Sequence, residues 1–250
     1  MEIVPKDAIL FKSAIEGLKD FLPDAQLLLS SDGLAIRGMD AAHVGYVDYF
    51  LAAADCSVWK VPKPCTLGIS MGVLANALGS VSKGGTVSIT QKKEKLVISY
   101  TNESVGKDVK VELHLLDIDQ EVLEIPPYDY PAVIKSKTVD IAGTFKEVGA
   151  FGDSIDLRLD DKGFHVAAKG DKGAIHQTLK QSMNHALTLK GGDPVAASYG
   201  TKYVLSILKA GGGLSPTVKL EMDPANPLCI SFLFSASHML FYLAPKVTDE

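Results

Sequence analysis

Residues 8–22, AILFKSAIEGLKDFL, and residues 138–152, TVDIAGTFKEVGAFG, carry apolar side chains in the same register. Phe11, Ile15, Leu18 and Phe21 in the first stretch answer to Ile141, Phe145, Val148 and Phe151 in the second. The spacing is i, i+4, i+7, i+10, which puts each set on one face of a helix. The segment after each stretch also repeats. AQLLLSSDGLAIRG (25–38) and SIDLRLDDKGFHVAA (154–168) both read as strand, turn and strand, with Gly33 and Gly163 at the turn, where a positive φ is expected.

The correspondence runs to the end of each half. A second helix is predicted near 70–80 and again near 200–210, with Leu74 and Leu78 matching Val204 and Leu208. TVSIT (86–90) stands against TVKLE (217–221), LVISY (96–100) against LCISF (228–232), and VKVELHLL (109–116) against HMLFYLA (238–244). The chain is therefore a tandem duplication with a period of about 130 residues. Alternating strands with two helices per half predict two similar α+β domains, each with helices on one face of antiparallel sheets. Residues 1–116 form the first domain and 132–250 the second; between them DIDQEVLEIPPYDYP (117–131), acidic and with three prolines, reads as an extended connector.

Composition narrows the classes. With 46% hydrophobic and 22% charged residues in 250, the chain is globular and not disordered. MEIVPKDAILF has no basic region ahead of an apolar stretch, and no apolar run reaches the roughly 20 residues that span a bilayer, so a soluble intracellular protein is expected. Cys56, Cys65 and Cys229 show no CxxC spacing and read as reduced thiols, not a disulfide or zinc framework. In that setting the Asn102-Glu103-Ser104 sequon is a chance match. The histidines lack paired ligand spacing, and His43, His165 and His176 read as surface or hydrogen-bonded residues; no metal and no cofactor is expected. GISMG (68–72) matches G-x-S-x-G, so a serine hydrolase built on Ser70, with His238 downstream, is the reading from another class; the chain lacks the repeated βαβ units that such a motif requires. A net charge of −5 argues against nucleic-acid binding unless lysines are gathered locally.

Four segments carry a family resemblance. MDAAHVGYVDYFL (39–51) resembles the Met-Asp-Ser-Ser-His-Val segment of eukaryotic DNA sliding clamps, and YLAPKVTDE (242–250) resembles their ending. LEIPPYDYPAVIKS (123–136) is similar to their interdomain connector, and FGDSIDL (151–157) to the segment after their third helix. The chain thus resembles, along its whole length, the proliferating-cell-nuclear-antigen family. That resemblance implies a processivity factor without an active site. Three identical two-domain chains would close a ring around duplex DNA, helices inside and sheets outside. It also implies partners that dock by short hydrophobic-aromatic peptides: DNA polymerase, clamp loader, flap nuclease and ligase. Localisation would follow the source: nucleus in a eukaryote, cytoplasm in an archaeon, the host's replication site for a virus. A clamp-fold checkpoint subunit of a heterotrimer is the nearer alternative.

Site residues follow from the same comparison. Lys12 and Lys19 share a helix face with Glu16, and inside a ring that face, joined by Lys146, Lys202 and Lys209, would meet phosphate. The pattern departs from the family at Asn76, Gly79 and Gly143, where lysine or arginine is common, so a weakly positive pore is expected. The peptide pocket would be walled by Met39, Val44, Tyr46, Leu123, Ile125 and Pro227, with Tyr242, Ala244 and Pro245; Lys246 and His43 would flank the peptide's polar start. Between subunits, the strand bearing Val109, Val111 and Leu113 would pair with that bearing Ile175, Gln177 and Leu179, beside Val148 and Phe151.

Overall fold

The computed structural model describes residues 1–102, 105–119, 123, 125–126, 128–171 and 173–246. Outside them lie Glu103 and Ser104 of the sequon, five connector residues (120–122, 124 and 127), Lys172 and the terminal 247–250. The chain divides into two compact units: residues 1–41, 47–123 and 234–239, and residues 42–46, 124–233 and 240–250.

In the first unit the elements are β1 (Glu2–Pro5), α1 (Ala8–Leu18), β2 (Asp24–Leu29), β3 (Gly33–Met39), β4 (Gly45–Ala52), β5 (Cys56–Lys60), β6 (Cys65–Ser70), α2 (Met71–Ala77), β7 (Val87–Lys92), β8 (Lys95–Asn102) and β9 (Lys107–His114). Asp7 starts α1: its backbone is extended and its carboxylate accepts the Leu10 N–H at 2.8 Å, satisfying one of the orphan donors. The helix stops at Leu18, short of the predicted Leu22. Phe21 and Leu22 both bond back to the Leu18 carbonyl, and Pro23 then turns the chain toward β2.

The second unit holds β10 (Ala132–Lys137), α3 (Thr138–Gly149), β11 (Ser154–Asp160), β12 (Gly163–Gly170), β13 (Gly173–Leu179), β14 (His185–Leu189), β15 (Val195–Gly200), α4 (Thr201–Gly211), β16 (Thr217–Asp223), β17 (Asn226–Phe234) and β18 (Ser237–Leu243). Sheet order repeats. The first unit runs β5-β1-β7-β8-β9 and β6-β2-β3-β4, the second β14-β10-β16-β17-β18 and β15-β11-β12-β13. The paired strands are antiparallel. These are two tandem α+β domains, the class read from the sequence.

The predicted apolar stripes are the cores. Phe11, Ile15 and Leu18 are buried in the first unit with Leu74 and Leu78; Ile141, Phe145 and Val148 are buried in the second with Val204 and Leu208. Each such side chain contributes about 1.5–3 kcal/mol on burial. The turn glycines behave differently from one another. Gly163 has φ 143°, but Gly33 is not among the positive-φ residues. What they share is space: a Cβ on Gly33 would lie 2.3 Å from the Leu51 carbonyl oxygen, and one on Gly163 would lie 2.6 Å from that of Leu179. In both units the neighbouring strand passes too close for any side chain. Among the cysteines, Cys56 and Cys229 are buried, Cys65 is half-buried, and all three are free thiols.

Candidate functional site

Most of the residues assigned to the peptide pocket fall in the second unit. The short segment 42–46 enters it with His43 exposed and left-handed, at φ 57°. Beyond β18 the chain stays extended: the Ala244 N–H donates to the Val44 carbonyl at 3.0 Å, and the Lys246 N–H to the Ser198 carbonyl on β15 at 2.8 Å. The Lys246 ammonium also reaches the Ser154 hydroxyl. Tyr46 and Tyr242 hold their ring centroids 6.2 Å apart, tilted by 54°. Tyr242 is half-buried, whereas Tyr46 is only 4% exposed, so it backs the surface and does not line it openly.

In the same unit, Val44, Ile125, Pro227 and Pro245 are half-buried, and Ala244 and Lys246 are exposed. The Tyr130 hydroxyl donates to the Pro227 carbonyl at 2.8 Å, and burial pushes its pKa up, so it stays a donor. Lys190 pairs with Asp129 and its N–H donates to the Pro131 carbonyl at 2.8 Å, tying down the end of the connector. Met39, half-buried on β3, and Leu123, 49% exposed, belong to the first unit.

The helix lysines are not equivalent. Lys19, Lys146, Lys202 and Lys209 are exposed. Lys146 and Lys209 lie in the last turns of α3 and α4, where the helix dipole favours a cation. Lys12 is bent back: its ammonium donates to the Gly79 carbonyl at 2.7 Å and stands 4.0 Å from Glu16, leaving its side chain 19% exposed. Its first task is to cap the chain leaving α2. Helix position alone could not reveal this, because the contact is with a residue 67 positions away.

Along the edge strands, Val109 and Val111 on β9 and Ile175, Gln177 and Leu179 on β13 are half-buried and alternate with exposed neighbours, the profile of a strand with one covered face. Two residues need correction. Val148 is 0% exposed and Leu113 only 6%, so both serve the cores of their own units, and a second chain could not reach Val148. Phe151 is half-buried beside the turn into β13, 3.9 Å from where a Gly173 Cβ would stand.

One cluster was not legible in the sequence. His165 Nε2 stands 2.8 Å from Asp160 Oδ1, and its Nδ1 faces His176 Nε2 at 3.1 Å and the Thr178 hydroxyl at 3.0 Å. His165, the Lys162 N–H and Arg158 together hold the Asp160 carboxyl well below the usual carboxylate range. Cross-strand pairing of β11, β12 and β13 makes this cluster, and only the register reveals it. Among the described residues, no group of three or more His, Cys, Asp or Glu is placed to hold a metal ion.

Ser70 precedes α2 without a side-chain capping bond. His238 is turned elsewhere: its Nε2 is 3.9 Å from Asp48 Oδ1 and its ring is 5.6 Å from that of Phe50. Burial raises the Asp48 pKa, but hydrogen bonds from His238 and Arg37 outweigh it and leave the carboxyl below its ordinary value.

Comparison with known proteins matches this architecture. Proliferating cell nuclear antigen 2 of Drosophila melanogaster is 29% identical over 248 residues, covering 96% of this chain and 95% of that protein. The proliferating cell nuclear antigen of Caenorhabditis elegans is 27% identical over 253 residues, covering 98% and 96%. The crystal structure of the Entamoeba histolytica protein superposes with a TM-score of 0.90 at 26% identity, over 98% of each chain. Residues 1–122 match the N-terminal domain of the proliferating cell nuclear antigen family and residues 124–247 its C-terminal domain. With both halves so matched, the chain belongs to the proliferating cell nuclear antigen family of sliding clamps.

Proposed function

We propose that this clamp protein works as a closed ring of three identical chains around duplex DNA and tethers replication and repair proteins through a groove beside its C-terminal tail. Family membership makes it a DNA clamp and processivity factor, a scaffold with no catalytic step of its own; a Ser70 hydrolase is set aside. Its place of work is nuclear or cytoplasmic according to the organism.

The observation that carries the partner-binding reading is the tail itself. Ala244 to Lys246 is held out as extended backbone by bonds to Val44 and Ser198, with Tyr242, Ile125 and Pro227 half-buried in the same unit. Pre-ordered backbone with partly covered aromatic and aliphatic side chains suits a peptide that inserts one aliphatic and two aromatic anchors. For DNA, exposed lysines on α3 and α4 supply flexible point charges, which attract phosphate without reading bases.

Titration calorimetry with an aliphatic-aromatic-aromatic peptide tests the groove. The Ile125→Ala, Tyr242→Ala double variant should lose about 1–3 kcal/mol of binding while its solution mass stays that of a trimer. Equal affinity for both proteins would sink the assignment. A wild-type mass of one chain would instead favour a subunit that assembles only with different partners.

A further inference from the structure

On the second unit's sheet, Lys135 of β10 stands directly opposite Lys219 of β16, and Lys137 opposite Thr217. Their neighbours along β10, Ile134 and Ser136, are buried at 0% and 4%, so the lysines occupy the outer face. Like charges set opposite each other on adjacent strands repel. Lys219 is relieved by Glu221 at 2.6 Å, but among the described residues Lys135 and Lys137 have no ion pair. The face is thus left with surplus positive charge in a chain whose net charge is −5.

Its relief is concave. Small side chains sit in the middle, Ala186 opposite Lys135 on one side and Ser231 opposite Lys219 on the other. Larger ones form the rim: Met183 is fully exposed and Leu233 is 58% exposed. The open groove has a volume of about 520 Å³, within the range of ligand-binding clefts. Exposed Leu and Met beside unpaired lysines is the opposite of a merely solvated sheet face, where apolar side chains point inward.

We propose that this groove docks an extended acidic peptide segment that carries an apolar side chain. Carboxylates would complete the lysine pairs that the fold leaves open, and the apolar side chain would cover Met183 and Leu233. A nucleic-acid strand fits less well. It would bring charge for the lysines but nothing for the apolar rim, and the groove presents no aromatic ring on which a base could stack. The site shares no residue with the groove at the C-terminal tail and stands whether or not that reading holds.

Fluorescence anisotropy on the full chain decides it, with a short labelled peptide alternating glutamate and leucine as the probe. Binding should weaken with added salt and fall about tenfold in the Lys135→Glu, Lys137→Glu variant. Leu233→Ser should lower it as well, with no change in thermal midpoint, since all three side chains are exposed. A glutamate-serine peptide should bind more weakly than the glutamate-leucine one. Charge reversal that leaves peptide binding intact would overturn the proposal. So would equal binding of the two peptides, or a labelled DNA oligonucleotide that depends on Lys135 and Lys137 while the peptide does not.

Discussion

The N–H of Lys246 meets the carbonyl of Ser198 at 2.8 Å, latching the chain that leaves the last strand onto β15. The first unit has the same latch: the Leu116 N–H meets the carbonyl of Gly68 on β6 at 2.9 Å, and Gln26 adds a bond to the Ile118 carbonyl at 2.6 Å. Lys246→Pro removes the N–H of the C-terminal latch and, with it, the ammonium's bond to the Ser154 hydroxyl. Peptide affinity at the proposed tail groove should drop by about 1–3 kcal/mol, the net value of two such bonds, with the oligomer intact. Unchanged affinity in calorimetry would mean that the tail needs no latch to be receptive.

Subunit assembly through β9 and β13 is a proposal that two substitutions test. Val111→Asp combined with Ile175→Asp puts unpaired carboxylates on two half-buried edge positions without opening either core. Folded monomers should result, seen as one-chain mass by light scattering with native circular dichroism. A persistent trimer would move the joint elsewhere.

The lysines should separate into two kinds. Reversing Lys19, Lys146, Lys202 and Lys209 together should flatten the salt dependence of DNA binding and leave stability alone, because each displaces counterions from phosphate. Lys12→Ala should instead cost stability, about 1 kcal/mol in urea titration, since the Gly79 carbonyl loses a charged donor. A Lys12 variant as stable as wild type would remove its structural role.

Tyr199 is fully buried, and among the described residues its hydroxyl has no hydrogen-bond partner. An unpaired buried hydroxyl costs about 1–3 kcal/mol. Tyr199→Phe should therefore raise the urea midpoint; a lowered midpoint would show that the hydroxyl is satisfied in solution.

Acid should weaken the fold through its depressed carboxylates. Asp160 is lowered chiefly by His165; Asp48 and Asp55 are lowered despite burial, Asp55 by Ser235, Ser237 and the Ala236 N–H. A carboxyl depressed in the folded chain stabilises it above the unfolded value of about 3.9, and that contribution disappears as pH falls through the lower folded value. The thermal midpoint should thus drop below about pH 4, and less steeply in Asp160→Asn. An identical slope in that variant would detach Asp160 from the transition.

Much of the fold is legible in the sequence because helical and strand periodicities are local. Phe11 and Ile141 share a register that shows as soon as the two halves are laid side by side, and the repeated sheet order follows from the repeated pattern. Lys12 escapes for the opposite reason: a periodic face says where a side chain starts, not where a flexible stem ends. Val148 belongs to the same apolar stripe as Phe151, and only the packed unit separates the buried member from the reachable one. The His165–His176–Asp160 cluster depends on strand register, which no single segment carries.

From Gly33 to the crossing carbonyl of Leu51 the chain is two residues longer than from Gly163 to that of Leu179. Side chains alternate along a strand, so a surplus of two leaves every inward residue facing inward. The two copies could therefore drift apart here without disturbing either core. The extra length falls ahead of β4, in the stretch that bears His43 and Val44, whereas β12 and β13 are separated only by 171–172. The two halves are thus unequal at this point, with five residues between β3 and β4 against two between β12 and β13, and the longer connection bears two residues assigned to the proposed docking surface. A ring of six such folds would then carry three docking stations, and the number of partners it could hold at once would be set by that single local asymmetry.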